Sequence, residues 1–262
     1  MMGANHAITG AAAWVAVTAS MPEFTSGLLP LGPVGVFTGA IVCAGAALLP
    51  DADHHNGTIA HSVPVVGSVI TGAIGQMAGG HRQGLHSLLA TGGVLALSLV
   101  LGLVQMSTEL FGQIPIGAAV ATMALVAFAT KALKLTSGSW VLPWIVGFLT
   151  AAFIVLFAPT EVNWLPVAIT LGFVVHLAGD MLTIGGVPVL WPWKPKPPYW
   201  WQNTPVLKWI WQKNGYFALP ILGKTGSVRE WLLGSAVTLY VAVILVHEGL
   251  WAFGLNLTGL LT

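Results

Sequence analysis

Charge is what this chain has least of. Only 6% of its 262 residues are Asp, Glu, Lys or Arg, while 56% are hydrophobic and the mean hydropathy is +0.84. A soluble domain carries about 25% charged residues, and so few charges cannot cover a surface that faces water. An ordinary soluble protein is thereby excluded, and an integral membrane protein is expected. The net charge of +1 excludes the basic footprint of a nucleic-acid binder. Cys43 is the only cysteine, so no disulfide forms within the chain; it lies in an apolar run and reads as a small packing residue. The start, Met1-Met2-Gly3-Ala4-Asn5-His6, has no basic region, and no cleavable signal is expected. No repeat, low-complexity tract or domain boundary stands out, so residues 1–262 read as a single integral-membrane domain.

What the chain does have is long apolar runs. They cover Ala7–Ala19, Val34–Leu49, Leu85–Met106, Ile114–Leu133, Val141–Phe157, Trp164–Ile184 and Trp231–Phe253, with a polar stretch between the second and third. The longer runs approach the roughly 20 residues that cross hydrocarbon. The first two are short and rich in Gly and Ala, and are expected to tilt, pack closely or enter part way. The expected fold class is all-α: a polytopic membrane helix bundle of about seven transmembrane or partly inserted helices.

Seven crossings sort the charges. All nine basic residues (Arg82, Lys131, Lys134, Lys194, Lys196, Lys208, Lys213, Lys224, Arg229) fall on one side; Glu23, Glu109, Glu161 and Glu248 fall on the other. The positive-inside rule assigns the basic side to the cytoplasm. Residues 185–230 are rich in Pro and Trp, which excludes a continuous helix and suits the membrane–water interface. This stretch is either a collar over a site or an anchored connecting loop.

The remaining signal lies at the ends of the runs. All three aspartates and five of the eight histidines form four clusters: His6; Asp51-Ala52-Asp53-His54; His81-Arg82-Gln83-Gly84-Leu85-His86; and His176-Leu177-Ala178-Gly179-Asp180. The span count brings all four to the cytoplasmic mouth. Carboxylate and imidazole near a membrane are costly unless paired, solvated or metal-bound, and together they form a ligand set for a divalent transition metal. His176 and Asp180, four apart, share one helix face; the bland reading is a hydrogen-bonded pair that aids packing. Asp51 and Asp53 can bridge metals or divide into a ligand and an orienting partner, or simply serve as solvated caps. His81 is expected in a loop and His86 in the first turn of the next helix, with Ser87 as a local cap. The fork of Arg82 suits a phosphate or carboxylate, or pairs with Asp51 or Asp53. His55 and His61 read as exposed loop histidines, and His247, beside Glu248, belongs to the other mouth.

Four motifs carry a resemblance: Asn5-His6-Ala7-Ile8-Thr9-Gly10, Leu48-Leu49-Pro50-Asp51-Ala52-Asp53-His54, His81-Arg82-Gln83-Gly84-Leu85-His86-Ser87, and the stretch 176–188 that begins His-Leu-Ala-Gly-Asp. In their order and chemistry they resemble the YdjM family, described as bacterial inner-membrane metal-dependent hydrolases that are LexA-regulated or LexA-binding. Leu85 departs from the family pattern, which has a small hydroxyl residue there. The resemblance implies a multi-pass protein of the bacterial inner membrane with a hydrolase site at His6, Asp51, Asp53, His54, His81, His86, His176 and Asp180. The ligand set is also similar in type to that of zinc-dependent phospholipase C and P1-type nucleases.

Together these readings predict a metal-dependent hydrolase acting on a phosphoester or lipid-linked ester at the cytoplasmic leaflet. The expected ligands are His6, Asp51, Asp53, His81, His86, His176 and Asp180, holding one to three ions, with zinc expected and manganese or ferrous iron as alternatives. The expected catalytic residues are Asp51, Asp53, His54 and Arg82. Expected partners are membrane lipids and a small amphiphilic substrate; a LexA link enters through the resemblance alone. The alternatives are a helix-locking structural metal site, or a metal transporter.

Overall fold

The structure is a computed structural model and describes residues 1–21, 23–54, 57–157 and 163–255. The chain opens with α1 (Gly3–Thr18), α2 (Pro33–Ala46), a short 3-10 turn (Leu49–Asp53), a second one (Ile59–His61) and α3 (Val66–Ala78). A third 3-10 turn (Gly84–His86) leads into α4 (Leu88–Leu103), followed by an antiparallel hairpin of β1 (Met106–Thr108) and β2 (Gly112–Ile114). Then come α5 (Ile116–Ala132), α6 (Val141–Phe157), α7 (Leu165–Met181), the short α8 (Tyr199–Asn203) and α9 (Leu207–Ile210), and finally α10 (Val228–Ala252).

The fold is mostly helical, as expected, and one long helix falls on each of the seven apolar runs. Three local readings need correction. The stretch read as polar also holds α3, whose 13 residues are too few to register as a run. Helix α4 starts at Leu88 rather than Leu85, because the Ser87 hydroxyl accepts from the Ala90 N–H at 3.2 Å and sets the helix start there. The third run ends in a hairpin, with Gly112 supplying the positive φ of 67° that its turn requires.

Two helical stretches among the described residues are long and apolar enough to cross a membrane by length and composition: Pro33–Asp53 and Val228–Ala252. Helices α3 to α7 are apolar but run 13 to 17 residues. The outer faces of these helices and of α10 carry large exposed apolar side chains, among them Leu97, Leu99 and Val100 on α4, Phe148 and Leu149 on α6, and Leu232 and Leu239 on α10. In water such a continuous surface is a liability; hydrocarbon covers it without cost.

Inside, small residues let backbones touch. Helix α2 packs against α1, α5 and α7. A Cβ at Gly45 would lie 1.9 Å from the Leu125 carbonyl oxygen of α5, and one at Gly172 would lie 2.4 Å from that of Cys43, so only glycine fits either crossing. Trp14, Val36, Val42, Val126 and Leu165 fill the core around them.

Helices α1 and α10 lie side by side and run parallel, stapled at both ends. Glu230 accepts from the Met2 N–H at 2.6 Å and Asn5 Nδ2 at 2.7 Å; Glu248 accepts from the Ser20 N–H at 2.6 Å and its hydroxyl at 2.7 Å. The end of the bundle marked by Glu230 is also where α2 and α7 finish and α4 begins.

Candidate metal centre

Four chain segments deliver the polar residues to that one end. Helix α1 presents His6 in its first turn. The turn Leu49–Asp53, which Pro50 helps to separate from α2, presents Asp51 and Asp53. The loop before α4 presents His81, Arg82 and His86, and the last turns of α7 present His176 and Asp180. His6, His86, His176 and Asp180 are all fully buried or nearly so. The rings of His6 and His176 stack at 3.6 Å between centroids, 14° from parallel. Gly179 makes room for this arrangement, since a Cβ there would press on Met1 Sδ at 2.7 Å and on the His6 ring at 3.3 Å.

The innermost atoms form a compact set. His176 Nδ1 donates to the Ala47 carbonyl oxygen at 2.7 Å, a bond that leaves Nε2 with its lone pair. That Nε2 lies 3.2 Å from His86 Nε2, 3.7 Å from Asp51 Oδ1 and 3.8 Å from Asp180 Oδ2. His86 Nε2 in turn lies 3.8 Å from Asp51 Oδ1 and 3.6 Å from Asp180 Oδ2. Bonds of roughly 2.0–2.1 Å in a tetrahedral zinc site put ligand atoms about 3.3 Å apart, close to these separations. Two imidazole nitrogens and the Asp180 oxygen therefore fit a divalent metal in chemistry and spacing, and Asp51 Oδ1 stands within 4 Å of both nitrogens as a further donor. Among the described residues, both nitrogens of His6, His86 Nδ1 and Asp180 Oδ2 are buried without a well-formed hydrogen bond. Such orphaned atoms are costly unless something else satisfies them. Positive charge already gathers here: the Met1 ammonium and Arg82 Nη2, the latter at 3.0 Å, both approach Asp180 Oδ1.

Three overlapping groups have ligand atoms within 4.8 Å of one another: His86, His176 and Asp180; His6, Asp51 and His176; and Asp51, Asp53 and His81. Asp53 stands behind the first group. Its Oδ1 lies 2.8 Å from His81 Nδ1, and its Oδ2 lies 3.5 Å from His86 Nδ1 and accepts from the Arg82 N–H at 3.2 Å. Its contacts are those of a carboxylate that orients two histidines.

Arg82 has a φ of 55°, a left-handed conformation that a non-glycine residue adopts at some cost. Asp53 holds its N–H, and the Tyr216 hydroxyl donates to its carbonyl at 3.0 Å. Burial raises the pKa of Tyr216 against the pull of Arg82, which keeps the hydroxyl protonated as that donor. Gly185 accommodates the guanidinium; a Cβ there would lie 2.3 Å from Nη1.

A polar cavity of about 570 Å³ opens beside the cluster, lined by Asp51, His54, His81, Arg82 and Lys224 among others. The His54 ring is 4.5 Å from that of His81. The Pro- and Trp-rich segment folds over this end: Leu222 donates to the Leu182 carbonyl at 3.0 Å, and Lys194 reaches Gln83 Oε1 at 2.6 Å.

All eight residues that the resemblance places at the site thus meet at one end, and Arg82 joins them as a ninth. His86 stands in the turn before α4 rather than in its first turn. His61 is exposed, His247 lies at the far end beside Glu248, and His55 lies outside the described residues. Two residues were missed. Glu230 anchors the start of α1, and its signal was the pair Ser227 and Glu230, spaced as a capping box at the head of α10. Lys224 lines the cavity and has no local motif to mark it.

The profile of the YdjM inner membrane protein family matches residues 1–250, and the chain belongs to that family. No curated protein and no solved structure matches it.

Proposed function

We propose that this YdjM-family inner membrane protein is a metal-dependent hydrolase, acting on a phosphoester or lipid-linked ester at the cytoplasmic mouth of a multi-pass bundle formed by a single domain. The observation that carries the reading is the four-atom set of His86 Nε2, His176 Nε2, Asp51 Oδ1 and Asp180 Oδ2, drawn from three separate segments and beside a polar cavity. These four residues would hold the first ion, zinc by the chemistry of the donor set, with manganese or iron as alternatives. His6, stacked on His176, completes a second position with Asp51. A bound ion of this kind supplies a water of lowered pKa and polarises the scissile bond.

The chain's own residues do the rest. Asp53 fixes the rings of His81 and His86 through their Nδ1 atoms. His81 is 39% exposed on the cavity side and is placed to carry a proton at Nε2, with His54 beside it. Arg82 presents positive charge to the substrate. The collar of residues 185–230, with Trp193, Trp200 and Trp209 exposed, suits the lipid interface where an amphiphilic substrate arrives.

Two observations support seven crossings with this end in the cytoplasm. The nine basic residues fall on one side of such a topology. The parallel course of α1 and α10 requires an even number of reversals between them.

Elemental analysis of the detergent-purified protein tests the reading. One to three equivalents of zinc, manganese or iron are expected, and are lost in the His176→Ala/Asp180→Ala variant. No metal, even after reconstitution with excess zinc, overturns the mechanism. A second reading is favoured by the way the cluster ties α1, α7 and two turns together: a metal that only locks the helices. It predicts that Asp180→Asn lowers thermal stability with no activity to lose, whereas catalysis predicts lost turnover in a folded protein.

A further inference from the structure

We propose that Lys224 and Arg82 form an anion clamp that seats the phosphate group of the substrate; the proposal deepens the hydrolase reading and rests on it for the location of the reacting bond. The cavity wall carries two cations, Arg82 and Lys224, and two histidines against one carboxylate, Asp51. With Asp51 committed to the metal set, the cavity selects for an anion.

The two cations are held differently and complement each other. Arg82 gives Nη2 to Asp180 at 3.0 Å, and its side chain is 20% exposed. The rest of its fork has no protein acceptor among the described residues. Lys224 is exposed, and its ammonium makes no hydrogen bond or ion pair among the described residues. Its backbone is nonetheless pinned. The Ile184 N–H donates to the Gly223 carbonyl at 3.0 Å, and the Ser227 N–H donates to the Lys224 carbonyl at 3.0 Å. This places Lys224 beside the segment that follows Asp180 directly. A planar fork held near the metal residues and a mobile point charge on a fixed stem are a pairing that recognises phosphate.

The phosphate comes from a lipid headgroup or from a soluble ester. Asp51 faces the polar cavity, while its neighbours Leu49 and Ala52 line a separate apolar cavity of about 380 Å³ with Leu85 and Phe173. One turn therefore borders a polar and an apolar compartment, as an amphiphile would need.

The test uses the full-length protein in phosphatidylcholine nanodiscs, both zinc-loaded and metal-stripped, titrated with oleoyl lysophosphatidate and with glycerol 3-phosphate. At least one probe binds the wild type. Lys224→Gln weakens that binding about tenfold, as expected for a charged contact, and leaves metal content unchanged; Lys224→Arg restores it. Binding of lysophosphatidate alone assigns the lipid source, and equal binding of the two assigns a soluble ester. Unaltered binding in Lys224→Gln, or no binding of either probe to wild type, overturns the clamp. Metal content is read separately, so a protein that takes no zinc but binds phosphate through Lys224 would sink the hydrolase reading and leave the clamp standing.

Discussion

The two ends of the bundle each bury a carboxylate, and they bury it for different reasons. At one end Glu248 accepts from the Ser20 N–H and hydroxyl, just past the end of α1. That contact fastens the segment that leaves α1 to the end of α10. At the other end Asp180 is surrounded by His6, His86, His176, Arg82 and the Met1 ammonium. No helix end needs five such neighbours. Every group of three metal-ligand candidates found among the described residues lies at the Asp180 end. Buried polarity in itself therefore says little; convergence from several segments, with lone pairs left over, is what separates a site from a fastening.

The largest effect should come from breaking that convergence. Removing His176 and Asp180 together should abolish metal binding, while Glu248→Gln should keep the full complement. Loss of metal in both variants, measured by elemental analysis, would mean that metal content reports folding and that the two ends do not differ in kind. An intermediate effect is expected at Asp53, which holds His81 and His86 from behind. Asp53→Asn should weaken metal affinity about 10- to 100-fold, the usual cost of losing an orienting partner, as read by chelator competition. Complete loss would instead promote Asp53 from orienting carboxylate to ligand.

Much of this contrast was legible in the sequence. In a chain with three aspartates, finding all of them beside histidines at the ends of apolar runs pointed to one mouth, and Asp51, Asp53 and Asp180 do meet there. Hydropathy also located the seven long helices, because apolar length is a one-dimensional property. The different contacts that Asp51 and Asp53 make were not legible. They depend on how a 3-10 turn rotates two carboxylates that are only two residues apart. Lys224 was hidden for a similar reason: it reaches the cavity through the return of residues 216–227 onto the end of α7, a tertiary contact with no local signature. Helix α3 was missed because its 13 residues, although apolar, fall short of the length of a span.

The smallest effect is expected at the fastening itself. Glu248→Ala removes two hydrogen bonds to a charged acceptor, which argues for a loss of stability. It also removes a buried carboxylate whose Oε2 has no hydrogen bond among the described residues, which argues the other way. Ser20 is exposed, so water can replace the lost acceptor. The net cost should be about 1–2 kcal/mol, visible as a modest drop in the thermal midpoint in detergent, with metal content and phosphate binding unchanged. A fall in metal content here would show that the parallel pair α1 and α10 transmits the state of the far end to His6, which Glu230 and Asn5 hold at the near one. The two ends would then be parts of one device.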